Sequence, residues 1–289
     1  MIPILARLEA WRQARRWRAK RAAMFATADL LVVSHTKSGR TWLRVLLSHL
    51  WHLEHGVPAR ELVRGDNFKQ LVPAIPAVHF ARDTRFPPET GDLVPRPDQR
   101  VLVLVRDPRD VAVSFWYHIR HRASAAELAR KGIPAGAKAL DLFAFATDPR
   151  LGVPRVIRFY NRWRQDLRTL PRATSLRYED LRADTPGELD RITRFLGEAH
   201  PRQRLEAAVA FASLESMREK ERSGFFASGR LGATGDARDA GEEQGEEEAR
   251  FKVREGSLGD WRRRFTPEQA AELDRLVRET LDPAWGYRG

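Results

Sequence analysis

Residues 30–53, LLVVSHTKSGRTWLRVLLSHLWHL, restrict the fold more than any other stretch of the chain. Residues 30–33 form an unbroken apolar run of the kind buried on both faces of a parallel sheet. A polar turn, residues 35–40, follows it. Then Trp42, Leu43, Leu46, Leu47, Leu50, Trp51 and Leu53 recur at helical spacing. Strand, tight loop and helix in that order leave backbone N–H groups at the helix start facing the region beyond the strand's carboxyl end, and those groups favour an anion. Lys37, Ser38, Arg40 and Thr41 add donors at the same place. A phosphate or sulfate site is the expectation.

A second unit of the same kind is VLVLVRDPRDVAVSFWYHIR, residues 101–120. The β-branched and Leu run at 101–105 predicts another interior strand. Asp107 can cap the helix that follows, Pro108 suits its first position, and Asp110 falls where a capping acid is useful. Arg106 is thereby held at a strand's carboxyl end, where open α/β sheets bind ligands. Ser114 lies two helical turns further on, on an otherwise apolar face. Taken alone, Arg106 could simply pair with an Asp, and Ser114 could hydrogen-bond back to its own helix. A third strand is expected in TSLRYEDL, residues 174–181, ending at Tyr178. His79, in PAVHF, falls near the end of a short strand and reads first as a hydrogen-bonded structural histidine.

The remaining pattern is mostly helical. Residues 141–170 carry apolar and basic faces suited to a covering helix. Thr185, Pro186 and Glu188 predict a capping box, with Gly197 as terminator. A single amphipathic helix is expected over 202–221, carrying Ser213 and Met217. Another runs from 267 to about 281, capped by Thr266 with Gln269 in the box position. Residues 229–250 have five glycines and an acid-rich second half, too polar to bury much surface, and are expected to form a loop with a possible lid role.

At 289 residues the chain is long enough for one large α/β domain, favoured here over two small ones. Its net charge of +12 suits an anionic partner, and residues 1–25 hold seven Arg or Lys against one Glu. That segment, with Ile4, Leu5, Leu8, Trp11 and Trp17 among its charges, predicts a basic amphipathic helix packed on the domain. Contact with an anionic membrane surface is the alternative. No nucleic-acid motif accompanies the charge. No apolar run approaches the roughly 20 residues needed to cross a bilayer. There is no cysteine, which rules out a disulfide, a thiolate nucleophile and a Cys-ligated metal.

Taken together, these motifs resemble the sulfotransferases that use 3′-phosphoadenosine 5′-phosphosulfate (PAPS), the cytosolic type in particular. KSGRTW, residues 37–42, is similar to their 5′-phosphosulfate loop, and RDPRDVAVS, 106–114, to their 3′-phosphate motif. RYEDL, 177–181, resembles the strand whose tyrosine meets adenine. VREGSLGDWRRRF, 253–265, resembles the late motif that returns to the 3′-phosphate. The resemblance implies that Lys37 stabilises or protonates the departing oxygen. Ser38, Gly39, Arg40 and Thr41 would hold the 5′-phosphate through backbone N–H groups and the Thr41 hydroxyl, with Trp42 near the base. Arg106, Ser114, Arg254 and Gly256 would take the 3′-phosphate, and Ser213 and Met217 would touch the nucleotide. His79 matches the family's general base, with Asp83 or His35 as alternatives. No metal is implied.

Two departures stand out. Arg40 occupies a position where these loops commonly carry a second threonine. Glu255 replaces the usual lysine of the late motif and puts a carboxylate near the phosphate site.

The fold this implies is a three-layer α/β/α, P-loop-like domain with a central parallel sheet of four to five strands. The reaction implied is sulfuryl transfer from PAPS to a hydroxyl or amine of a small-molecule, lipid or glycan acceptor, in the cytoplasm, with peripheral contact at the inner membrane face as the further option. A P-loop kinase or NTPase is the competing enzyme, but its loop reads GxxxxGK[ST], whereas here Lys37 precedes Gly39 and the first glycine is missing. A non-catalytic nucleotide-binding protein at the membrane surface is the third reading.

Overall fold

The computed structural model describes residues 26–82, 98–227 and 258–288. Strands β1 (Leu30–Ser34), β2 (Val78–Arg82), β3 (Arg100–Val105) and β4 (Ala173–Arg177) form one sheet in the order β2-β1-β3-β4. All three pairings are parallel. The α/β class and the parallel sheet agree with the sequence expectation, with four strands among the described residues.

The helices are α1 (Arg40–His55), α2 (Pro108–His121), α3 (Ala125–Arg130), α4 (Leu142–Thr147) and α5 (Val153–Thr169), followed by α6 (Tyr178–Ala183), α7 (Thr185–Leu196), α8 (Arg202–Phe211), α9 (Leu214–Arg222) and α10 (Pro267–Thr280). Strand alternation sorts them into layers. Leu30, Val32, Leu102, Leu104 and Leu176 face α1, α7 and α8 in one core. Leu31, Val33, Val101, Val103 and Val105 face α2, α5 and α10 in the other. Strands buried on both faces explain the unbroken apolar runs. A satellite cluster built on Phe115, Ile119, Ala123, Leu128 and Phe145 fastens the far half of α2 to α3 and α4.

Several local details differ from the sequence reading. Strand β4 ends at Arg177, and Tyr178 is instead the first residue of α6, because an acid pair at Glu179 and Asp180 suits a helix start. Asp184 rather than Thr185 caps α7, its carboxylate accepting from the Gly187 N–H. The expected helix over 202–221 is two helices, broken at Ala212 where the Ser213 hydroxyl caps the second by accepting from the Ser216 N–H. Asp107 caps α2 as expected, and Thr266 with Gln269 completes the capping box on α10. The segments 1–25 and 229–250 lie outside the described residues.

The order of the strands matters most for the site. From β1 the chain crosses to β2 on one side; from β3 it crosses to β4 on the other. The connections therefore diverge between β1 and β3, and that divergence opens a crevice beyond their carboxyl ends. Lys37 follows β1 and Arg106 follows β3, so the topology delivers both to one crevice. Leu46, fully buried under β1 on the inner face of α1, holds this frame together. Leu46→Ala should cost about 2–5 kcal/mol, read as a lowered midpoint in urea denaturation; a change below about 1 kcal/mol would contradict the packing.

Candidate active site

The loop after β1 has a backbone shape made for an anion. Lys37 and Gly39 are left-handed, at φ 69° and 94°, while Ser38 between them is not. Alternation of hand curls successive N–H groups into a concave nest. Gly39 sits at the N-cap of α1 without any side-chain cap, and its carbonyl accepts from the N–H groups of Trp42 and Leu43. The Ser38 side chain is fully buried, beside the Tyr160 hydroxyl, so only its backbone can meet a ligand. Thr41 is exposed and Lys37 half-buried. The Arg40 guanidinium reaches back along the strand ends, 3.4 Å from both the Ser34 hydroxyl and the Ala81 carbonyl, and so stiffens the rim.

Tyr178 joins this loop to the second motif. A Cβ on Gly39 would lie 2.4 Å from the Tyr178 ring, so the ring rests directly on the loop backbone. The Trp42 ring meets Tyr178 edge-on at 5.7 Å, and the Arg106 guanidinium stacks over it at 4.6 Å. Trp42 is itself fixed by donating from Nε1 to the Ala212 carbonyl at 2.8 Å, which brings Ser213 to the same wall; Met217 is buried in the core behind it. Gly39, Trp42 and Arg106 thus meet around the Tyr178 ring, with Lys37 on the same loop as Gly39 and Ser213 next to the residue that anchors Trp42. Ser114 lies buried two turns along α2 from Arg106.

Arg106 is held from behind. The buried Tyr160 hydroxyl accepts from the Arg106 N–H at 2.9 Å and donates to the Arg106 carbonyl at 2.8 Å. The Arg106 guanidinium lies 3.6 Å from the Asp110 carboxylate. Asp110 is more than a capping acid: it is buried and accepts from the backbone N–H groups of Gly259 and Trp261. Desolvation raises its pKa, only partly opposed by Arg106 and those N–H groups. It ties the second half of the late motif, through Gly259 and Trp261, to the helix that follows Arg106. Neither tie is marked in the sequence, where Tyr160 is one aromatic on an amphipathic helix and Asp110 an ordinary first-turn acid. Arg254, Glu255 and Gly256 themselves lie outside the described residues, as does Asp83.

The histidines divide differently from expectation. His79 pairs in register with Leu31, three residues short of the carboxyl end of β2, or about 10 Å back along the strand at about 3.3 Å per residue. Its ring lies against Gly65 on the outer edge of the sheet, and burial lowers its pKa. It is not brought to the Lys37 cluster. His35, at the end of β1, is buried between Phe115 and Phe159, its Nδ1 donating to the Thr36 carbonyl. Burial, reinforced by the Arg155 charge, lowers its pKa to about 3. His118, on α2, was not singled out by its sequence, and it lies within the electrostatic reach of Lys37.

A profile of the sulfotransferase domain matches residues 27–283. The chain belongs to the sulfotransferase family. Sulfuryl transfer from PAPS, the reaction that the four motifs implied, is therefore its chemistry. Cytosolic sulfotransferase 3 of Arabidopsis thaliana is 24% identical over 88% of this chain and 76% of its own length. Mouse sulfotransferase SULT7A1, solved with 3′,5′-adenosine bisphosphate (PAP), superposes with a TM-score of 0.56 at 17% identity, covering 92% of this sulfotransferase and 90% of that chain. Retinol dehydratase in complex with androsterone and PAP gives 0.56 at 18% identity, over 87% and 80% of the two chains. Among the described residues of this sulfotransferase, no group of three His, Asp or Glu side chains converges as a metal site.

Gly39 tests the nest directly, since both its left-handed backbone and its contact with Tyr178 exclude a side chain. Gly39→Ala should weaken PAP binding at least tenfold in calorimetry while the fold persists by circular dichroism. Affinity within twofold of the parent would show that the loop backbone is not part of the donor site.

Proposed function

We propose that the crevice between β1 and β3 holds PAPS by its two anionic ends, with the loop 37–42 on the 5′-phosphosulfate and Arg106 with Ser114 on the 3′-phosphate. The observation that carries this reading is the Tyr178 ring, which touches the loop at Gly39 and the guanidinium of Arg106 at once. One nucleotide can then span both anion sites, with its base against Trp42, Tyr178 and Ser213. Arg254, Glu255 and Gly256 are proposed to complete the 3′-phosphate site on the strength of their motif. Asp110 supports that placement by holding Gly259 and Trp261 onto the helix that begins beside Arg106.

In the reaction, the acceptor oxygen attacks sulfur in line as the bond from sulfur to the bridging oxygen of the 5′-phosphate breaks. Negative charge collects on that departing oxygen. Lys37 is the cation proposed to stabilise or protonate it, and the fixed N–H groups of the nest need no reorganisation to help. The acceptor is proposed to be a hydroxyl on a small molecule, as the androsterone complex of the structural neighbour suggests by analogy. Lipid and glycan hydroxyls are the other classes to try. The cytoplasm is the proposed location, in keeping with the name of the Arabidopsis relative. Among the described residues no helix is long and apolar enough to cross a membrane. The basic segment 1–25 is proposed as a peripheral membrane contact only on its composition.

The experiment is transfer from radiolabelled PAPS to a panel of phenols, steroids, long-chain alcohols and glycans, with PAP affinity measured in parallel. Lys37→Ala should lower turnover at least about a hundredfold, the scale for loss of one transition-state donor, while PAP affinity changes less than tenfold. Unchanged turnover would remove Lys37 from the chemistry. Absence of both PAP binding and transfer in the parent protein would overturn the donor assignment.

A further inference from the structure

Sulfuryl transfer to a hydroxyl must dispose of one proton, and His79 is placed too far back along its strand to take it. The far half of α2 lies within reach of the donor loop: Phe115 on it touches both His35 and His118, and the Lys37 charge acts on His118. One turn beyond Ser114, on the same face of that helix, stands His118, half-buried with its side chain 17% exposed. Its Nε2 lies 3.2 Å from Glu127 Oε1, on α3. Glu127 is also paired with Lys131, and His118 with Lys131 holds its carboxyl well below the usual carboxylate range, so it is ionised. An ionised carboxylate only accepts, so Nε2 carries the proton and Nδ1 keeps its lone pair. The Phe115 ring links His118 to the donor loop: it lies 6.4 Å from His118 and 6.4 Å from His35, two residues before Lys37. The satellite core of Phe115, Ile119 and Leu128 fixes α2 against α3 and so fixes this pair.

We infer that His118, oriented by Glu127, is the general base that takes the proton from the acceptor hydroxyl, and that the acceptor binds against the α2–α3 wall facing Lys37. The inference rests on the sulfuryl-transfer reading given above. In the step, the acceptor O–H bond breaks and its proton passes to His118 Nδ1, while a new oxygen–sulfur bond forms. The sulfur bond to the bridging oxygen breaks, and the electron pair leaves with PAP, where Lys37 meets it. The products are the sulfate ester, PAP and an imidazolium, which Glu127 stabilises until it loses its proton to water. A carboxylate-held imidazole of this kind is the arrangement used to activate hydroxyls in other acyl- and group-transfer sites.

The charged groups facing His118 are Glu127 and Lys131 from the α3 side, Arg122 at the end of its own helix, and Lys37 from the donor loop. Burial, with these three cations and against Glu127, lowers its pKa to about 4. The imidazole is thus neutral and competent over the whole neutral range. The base is lost only as pH falls through that value.

The test uses the full chain and the first acceptor in the panel that it sulfates. His118→Asn should lower kcat about 10²- to 10⁴-fold, the usual worth of a general base, with PAP affinity within twofold of the parent. Glu127→Gln should lower kcat less and move the acid limb of its pH profile to lower pH, because the carboxylate is the group that raises the His118 pKa. Should His118→Asn fail to fold, Glu127→Gln with its displaced acid limb still decides the matter. Turnover of His118→Asn within threefold of the parent, or an acid limb unmoved in Glu127→Gln, would overturn the assignment. Loss of PAP binding in the parent would instead overturn the donor reading, so the two failures are separable.

Discussion

The contact between the Tyr178 ring and the backbone of Gly39 sets the spacing on which everything else depends. A nucleotide with phosphates at both ends is bound well only if its two anion sites stand at one fixed separation. Those sites arise from different strands, and parallel pairing fixes the strands but not the loops beyond them. Tyr178 supplies the missing constraint, since it is pressed on Gly39 from one side and covered by Arg106 from another. Its own position follows from being the first residue of a helix launched from β4, adjacent to β3. Sheet register is thereby converted into the geometry of a binding site.

Fixing cations at such a crevice carries a desolvation cost, which this protein offsets with nearby buried acids. Arg109, nearly fully buried, is paired with Asp107 and Asp274, donates to the Tyr287 carbonyl and stacks over Trp261. Glu179 accepts from the Asp107 N–H at 2.9 Å and from the Tyr287 hydroxyl at 2.5 Å, and burial raises its pKa. Asp110 does the same for Arg106 and the returning chain. Buried pairs of this sort contribute little net stability compared with apolar packing, but removal of one partner strands the other. Their effect here is positional: the start of α2, the start of α6 and Tyr287 are tied into one block beneath the crevice.

Much of this was legible in the sequence because period and position carry it. Apolar runs at 30–33 and 101–105 announced buried parallel strands, and Asp107–Pro108 announced the start of α2. The placement of Lys37 and Arg106 followed, because a residue just past a strand's carboxyl end has few places to go. The break at Ala212 was not legible, since apolar spacing continues across it and only the capping by Ser213 marks the new helix. The start of α6 was missed for a related reason: strand and short helix share the residues RYEDL, and tertiary packing of Tyr178 decides between them. His79 and His118 show the limit most plainly. A histidine beside Val and Phe near a strand looks better placed than one inside YHIRH, yet depth along the strand and the partner Glu127 are set by three-dimensional neighbours that no local pattern encodes.

Lys37 and His118 stand on opposite sides of the reacting sulfur in this reading, and the Lys37 charge then has a second use. In the resting enzyme the Lys37 charge helps to hold His118 neutral, so the base starts unprotonated. On the proposed roles, the negative charge that develops as the sulfur–oxygen bond lengthens would gather beside Lys37 and cancel part of its field. The proton affinity of His118 therefore rises as the acceptor hydroxyl becomes acidic. A low-dielectric crevice strengthens that coupling, because the same charges would be screened in water. The base and the leaving-group cation thus act as one electrostatic unit, each made more effective by the progress of the bond change at the other, and a half-buried His118 is better suited to that task than a solvated one.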